Sequence, residues 1–218
     1  MTMTNNIDTI GREALVYLEL KHTARERALP KSRAAIRLCA TSIRATHRQE
    51  VAHAQELLSQ AATLLTEMRD DLRDHLDIYH AGFVQDAQKE FAEAATFAAM
   101  TQHQPLPTAY DLTIGWAVYL NGLAEAVGEL RRYVLDQLRR GNTDSCEVFL
   151  RYMDDIYSQL ILIDLPDAIT AGLRRTTDAT RGILEKTRGD LTSAVAQAQL
   201  EQSMNALREK LEKPSSTR

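Results

Sequence analysis

Turn-forming residues are scarce in this chain. Glycine occurs nine times and proline five times in 218 residues. With abundant Ala, Leu, Glu, Gln and Arg, that scarcity favours helices. There are two cysteines, Cys39 and Cys146. They make neither a disulfide framework nor a zinc pattern, which points to reduced thiols and a cytoplasmic location. The six histidines (His22, His47, His53, His75, His80 and His103) are scattered without metal-ligand pairing. No apolar run reaches the ~18 residues that a membrane span needs, so no membrane partner is expected. The opening MTMTNNIDTI has no basic stretch followed by an apolar core, so no secretory signal is expected. Large net charge is absent too. The balance is −4, which by itself does not suggest a nucleic-acid binder. The average hides an asymmetry, because Lys21 to Arg48 holds eight basic residues against one acidic residue, Glu26. A local basic surface of this kind can attract phosphate within about a Debye length, ~8–10 Å.

What is present reads as helix. Hydrophobic content of 44% and charged content of 26% are ordinary for a globular chain. Breaks fall at TQHQPLPT (101–108), RGNTDS (140–145) and DLPDAIT (164–170), and Pro30 is expected to start or kink a helix. The intervening segments are 5–28, 31–68, 70–80, 82–101, 108–139, 144–163 and 168–211, the second with a possible break near His47. No strand-like alternation persists, and no 20–50-residue repeat is found. The expectation is a single all-α domain over 1–218, a bundle or helical array, with KPSSTR (213–218) as a disordered tail.

One helix carries an anomaly. In FVQDAQKEFAEAATFAAM (83–100), Phe83, Ala87, Ala94 and Phe97 form an apolar stripe, and Asp86, Glu90 and Glu93 fall within it. Burying carboxylates is costly unless something pairs them. The next helix offers Glu125 and Glu129, four apart on one face beside Asn121, Gly122, Gly128 and Arg132. Trp116, Tyr119, Leu123, Val127, Leu130 and Val134 form its opposite, core face. An antiparallel hairpin across the proline loop would bring the two pairs face to face. Four carboxylates could then hold Mg²⁺ or Mn²⁺, an ion that activates water and stabilises a phosphoryl transition state. The competing reading is an ordinary solvated face, with Arg132 pairing Glu125 or Glu129.

A second cluster is basic. Arg33, Arg37, Arg44 and Arg48 lie at offsets of 4, 11 and 15, a stripe about 60° wide on a continuous helix. Arginines in a row suit a phosphate backbone; ion pairs with a neighbouring helix explain them equally well.

These segments together resemble the translin family, in its branch of translin-associated factor X. The resemblance runs from about Arg25 to Leu191. It rests on SRAAIRLCATSIRATHR, FVQDAQKEFAEAATF, NGLAEAVGELRRY and DLPDAITAGLRRTTDATRGILEKTRGDLT. It implies an all-α protomer of about seven helices, assembled into a closed hollow homo-oligomer, an octamer favoured, that holds nucleic acid inside. Factor-X-type subunits are Mg²⁺-dependent endoribonucleases of single-stranded RNA. Translin-type subunits bind single-stranded RNA or DNA without the full acidic set, which makes a non-catalytic shell the alternative. Carried over, the family's acidic residues fall on Glu90, Glu93, Glu125 and Glu129, as metal ligands and catalytic groups. In EAVGE, Glu125 stands where the family usually has Asp, one methylene shorter. The family's basic N-terminal helices match Arg33, Arg37, Arg44 and Arg48 in kind.

Overall fold

The computed structural model describes residues 3–143 and 145–212. Among them are eight helices and no strand: α1 (Met3–His47), α2 (Val51–Asp71), α3 (Leu76–Tyr79), α4 (Gly82–Thr101), α5 (Trp116–Arg139), α6 (Cys146–Leu160), α7 (Asp167–Thr170) and α8 (Leu173–Glu212). The all-α expectation is borne out, with α3 and α7 as single turns beside six longer helices. The tail 213–218 lies outside the described residues. No helix among those described is long and apolar enough to cross a membrane.

Several boundaries differ from the sequence reading, each for a local reason. Pro30 neither starts nor ends a helix, because α1 runs through it. The proline is exposed, while Ala24, Ala28, Ser32, Ala35 and Cys39 continue one buried strip on both sides of it. The break comes after His47. There Gln49 adopts φ 63° and the Glu50 N–H bonds back to the Ala45 carbonyl at 2.9 Å, a left-handed helix stop. Helix α5 begins at Trp116 rather than 108. The Thr108 hydroxyl and backbone N–H both donate to Asp111, at 2.7 and 2.8 Å, and Thr113 takes φ 57°, so these residues form a turn. Trp116 is 47% exposed, not core.

The larger correction concerns direction. The face-to-face arrangement of the two glutamate pairs is conditional on an antiparallel hairpin of α4 and α5, but they run parallel. Lys89 meets Glu125 and Phe97 meets Tyr133, so residue numbers rise together along both helices. The loop between them makes this possible by running back along α4. Its residues Asp111–Ile114 lie beside Tyr79, Gln88 and Phe91, near the start of α4. The same logic orders the whole fold. Contacts of Ser32 with Phe83 and of His47 with Phe97 set α1 parallel to α4. Asn121 with Thr176 and Arg131 with Thr187 set α8 parallel to α5. Helix α2 returns against α1, with Lys31 paired to Asp71 and Ser42 bonded to Ala54. Helix α6 returns against α8, with Arg188 bonded to Asp154 and Leu160 near Arg174.

Small side chains set the spacing at the centre. Ala28, Ala35, Ala87, Ala92, Ala94 and Ala126 are fully buried where α1, α4 and α5 meet. Larger buried residues outside these three helices (Met68, Leu72, Met153, Leu184) fill the layers around them. Both ends of the chain leave this core. Ile7, Ile10, Leu15 and Leu18 of α1, and Leu200, Met204, Leu207 and Leu211 of α8, are each more than half exposed.

Candidate metal centre

The site starts from a glycine. A Cβ on Gly122 would sit 2.5 Å from the Lys89 carbonyl oxygen, 2.7 Å from Ala92 Cβ and 3.0 Å from the Glu93 nitrogen. Only a residue without a side chain lets the α5 backbone touch α4 there. Glu125 projects one turn further along α5, onto the α4 face that bears Glu90 and Glu93. Glu90, Glu93 and Glu125 each offer an oxygen, all within 4.8 Å of one another, and all three are half-buried. Gly128 meets nothing nearer than Ile183 Cδ1 at 3.9 Å, so of the two glycines only Gly122 is required by the crossing.

The electrostatics register too much negative charge in too little water. Burial first, then the charges of Glu90, Glu125 and Glu129, push the Glu93 carboxyl up to about 8. Burial also raises Glu90, against the pull of Lys89. Lys89 donates to Glu125 Oε1 at 2.8 Å. Burial acts to lower the Lys89 ammonium, but the hydrogen bond and charge of Glu125 outweigh it and leave it raised. These carboxylates are hard oxygen donors, half-wet and under-neutralised, and that donor set fits Mg²⁺ or Mn²⁺. Glu90, Glu93 and Glu125 would hold such an ion.

Glu129 stands slightly apart. His47, the last residue of α1, lies with Nε2 2.5 Å from Glu129 Oε2. That hydrogen bond first, against burial, holds the Glu129 carboxyl below its ordinary value, with the nearby charge of Arg132 adding to it. Arg132 itself is 3.9 Å away. Sequence reasoning finds the four carboxylates from their spacing but has no signal for His47 or Lys89. His47 lies 82 residues from its partner, and Lys89 looks like any helix-surface lysine.

The arginines are placed differently. Arg33, Arg37, Arg44 and Arg48 are all exposed. Arg48 forms a two-pronged pair with Glu50, at 2.7 and 2.8 Å, and Arg44 donates to Thr41. Arg33 and Arg37 form no ion pair among the described residues. Buried Cys39 marks the side of α1 that faces the carboxylates. Burial, then Glu90 and Glu93, push its thiol up to about 12. The arginines sit roughly 120–180° around α1 from Cys39, by 100° per residue. The stripe therefore exists as a surface, but it faces away from this protomer's own acidic centre. A cleft of about 380 Å³ does open beside the centre, lined by Gln85, Lys89, Glu125, Arg175 and Thr176.

No protein-family model matches the chain. An uncharacterized protein of Methanocaldococcus jannaschii is 30% identical over 190 residues, spanning 86% of this chain and 84% of that protein. Among solved structures, the crystal structure of AfC3PO superposes with a TM-score of 0.79 at 34% identity, covering 85% of this chain and 97% of that one. AfC3PO in complex with duplex RNA gives the same TM-score and identity over 96% of that chain. Apo-NeC3PO superposes at 0.76 with 20% identity, over 89% of this chain and 100% of that one, and so shares the fold.

Proposed function

The chain belongs to the translin–C3PO family, and from that membership we propose that it is a Mg²⁺- or Mn²⁺-dependent endoribonuclease of the factor-X type. The observation that carries the reading is the convergence of Glu90, Glu93 and Glu125 at the Gly122 crossing, with the Glu93 carboxyl pushed up to about 8. Such a centre is short of positive charge, because Lys89 is bonded to Glu125 alone. A divalent ion bound there supplies it and lowers the barrier to attack of water on a phosphodiester. The chain's own residues do the rest. Glu90, Glu93 and Glu125 would hold the ion, Lys89 fixes one Glu125 oxygen, and Arg175, which lines the cleft, would meet backbone phosphate. Arg33, Arg37, Arg44 and Arg48 hold RNA on a surface outside the protomer's own cleft.

Self-assembly belongs to the same reading, with a closed homo-octamer as the favoured form. The uncovered apolar residues of α1 and α8 supply faces for a second copy. Light scattering tests it, and a stable species at the monomer mass of 24.5 kDa would overturn it.

The deciding experiment incubates end-labelled RNA, single-stranded and duplex in parallel, with Mg²⁺ or with EDTA. Both forms are needed because single-stranded RNA is the expected substrate, while AfC3PO is held with duplex RNA. Internal cuts that leave 5′-phosphate ends, require metal and vanish in Glu93→Gln support the enzyme. Ends carrying 2′,3′-cyclic phosphate contradict it, because they report attack by the ribose hydroxyl.

A second reading, an RNA-binding shell without catalysis, is favoured by one observation. Two of the four carboxylates already have partners, Glu125 in Lys89 and Glu129 in His47. RNA retained but uncut by the wild-type protein would select it.

A further inference from the structure

We propose that His47 is a positioning residue of the metal centre, holding the Glu129 carboxylate in the orientation from which its second oxygen completes the ligand set. This rests on the reading of Glu90, Glu93 and Glu125 as metal-holding carboxylates, and adds Glu129 to them as a fourth.

The imidazole is wedged where three helices meet. It ends α1, its ring lies 4.8 Å from the Phe97 ring of α4, and the Tyr133 ring of α5 is 6.3 Å away. Its side chain is 6% exposed. Nε2 lies 2.5 Å from Glu129 Oε2. An ionised carboxylate only accepts hydrogen bonds, so Nε2 carries the hydrogen and donates it. Nδ1 faces the interior, and it is the one buried side-chain polar atom without a partner among the described residues. An unmet buried polar atom destabilises the fold, whereas a Leu or Phe would pack against Phe97 and Tyr133 without that penalty. The histidine therefore makes sense through Nε2, and Nε2 acts on Glu129 alone.

The geometry of Glu129 shows why it needs holding. Glu90, Glu93 and Glu125 bring their oxygens together without it, and Glu129 lies one turn beyond Glu125 on α5. A glutamate has three rotatable side-chain bonds. With Oε2 held by His47, the carboxylate has less freedom to turn, and Oε1 is the oxygen left to give. Partners that orient a metal-bound carboxylate typically account for 10–100-fold in metal affinity. The same helix bears the arginine stripe, and Arg48 is the next residue.

The test is calorimetric titration of the full-length, metal-stripped protein with Mn²⁺, alongside its thermal midpoint without metal. His47→Leu fills the space without a donor; His47→Gln keeps an N–H at similar reach. We expect Mn²⁺ affinity to fall roughly 10–100-fold in His47→Leu, with the metal-free midpoint retained, and to recover for the most part in His47→Gln. If His47→Leu prevents folding, His47→Asn, polar but too short to reach Glu129, takes its place. Wild-type affinity in His47→Leu overturns the proposal, and so does equal loss in His47→Leu and His47→Gln. Wild-type protein that binds no Mn²⁺ at all overturns the metal reading itself, a result distinct from a wild type that binds and a variant that binds equally well.

Discussion

The carboxylate centre and the arginine face of α1 are charge clusters built in opposite ways. The acidic cluster draws on α4 and α5, is half-buried, and is held by side chains from elsewhere: His47 on Glu129, Lys89 on Glu125. The basic cluster sits on one helix, is exposed, and is mostly unpaired. A group in the first cluster depends on all its neighbours, whereas a group in the second acts almost alone. Catalysis needs the first arrangement, because reacting atoms must be held within a fraction of an ångström. Holding a flexible polyanion needs only the second.

The contrast predicts steep effects on one side and shallow ones on the other. The largest is expected at Glu90: Glu90→Gln should reduce RNA cleavage by more than about a hundredfold, beyond the loss typical of an outer-shell partner, while RNA retention in a filter assay stays the same. Undiminished cleavage would place the chemistry elsewhere. Next comes Gly122→Ala, which forces a Cβ into the α4 backbone. Overpacking of this kind costs about 1–3 kcal/mol, so denaturant unfolding should show that loss together with weaker Mn²⁺ binding. Gly128→Ala, whose Cβ would meet Ile183 Cδ1 at an ordinary 3.9 Å, should be neutral or gain up to ~1 kcal/mol of helix propensity. Equal effects of the two glycine variants would remove the crossing from the argument.

A subtler effect is in pH. Glu93 ordinarily titrates at 4.5 and here at about 8, so the folded protein binds its proton more tightly than the unfolded chain does. The stability this contributes is full below 4.5 and is lost as pH rises through about 8. Thermal melts in EDTA should therefore fall between pH 5 and 9, and saturating Mg²⁺ should flatten the dependence. Parallel curves with and without Mg²⁺ would mean that no ion sits at Glu93. The smallest effects belong to the arginines. Arg33→Ala, Arg37→Ala and Arg44→Ala should each lower the salt-dependence slope of RNA binding by about 0.7–0.9 and leave cleavage of bound RNA unchanged. Arg48→Ala should do least, because Glu50 already occupies that guanidinium.

Sequence periodicity recovers whatever lies along a single helix. The pairs Glu90 with Glu93 and Glu125 with Glu129, the arginine stripe, and the core face from Tyr119 to Val134 all follow from a 3.6-residue turn. It is silent on what crosses between helices. Nothing in TQHQPLPT says that the loop doubles back along α4, so α4 and α5 read as a hairpin when they lie parallel. Pro30 reads as a break because its missing N–H counts against a helix, but the proline sits on the solvent side of a strip of buried alanines and is carried through. His47 is invisible for a related reason: its meaning comes only from Glu129.

The parallel setting of α1, α4, α5 and α8 also governs how the molecule comes into being. Helices joined by tight hairpins close their contacts locally and fold fast, but these four meet across long crossovers. The ties at the centre span 36 residues from Lys89 to Glu125 and 82 from His47 to Glu129. On a chain emerging from its N-terminus, α1 is complete long before its partner on α5 exists. The arginine surface is thus available early in synthesis and the carboxylate centre only late.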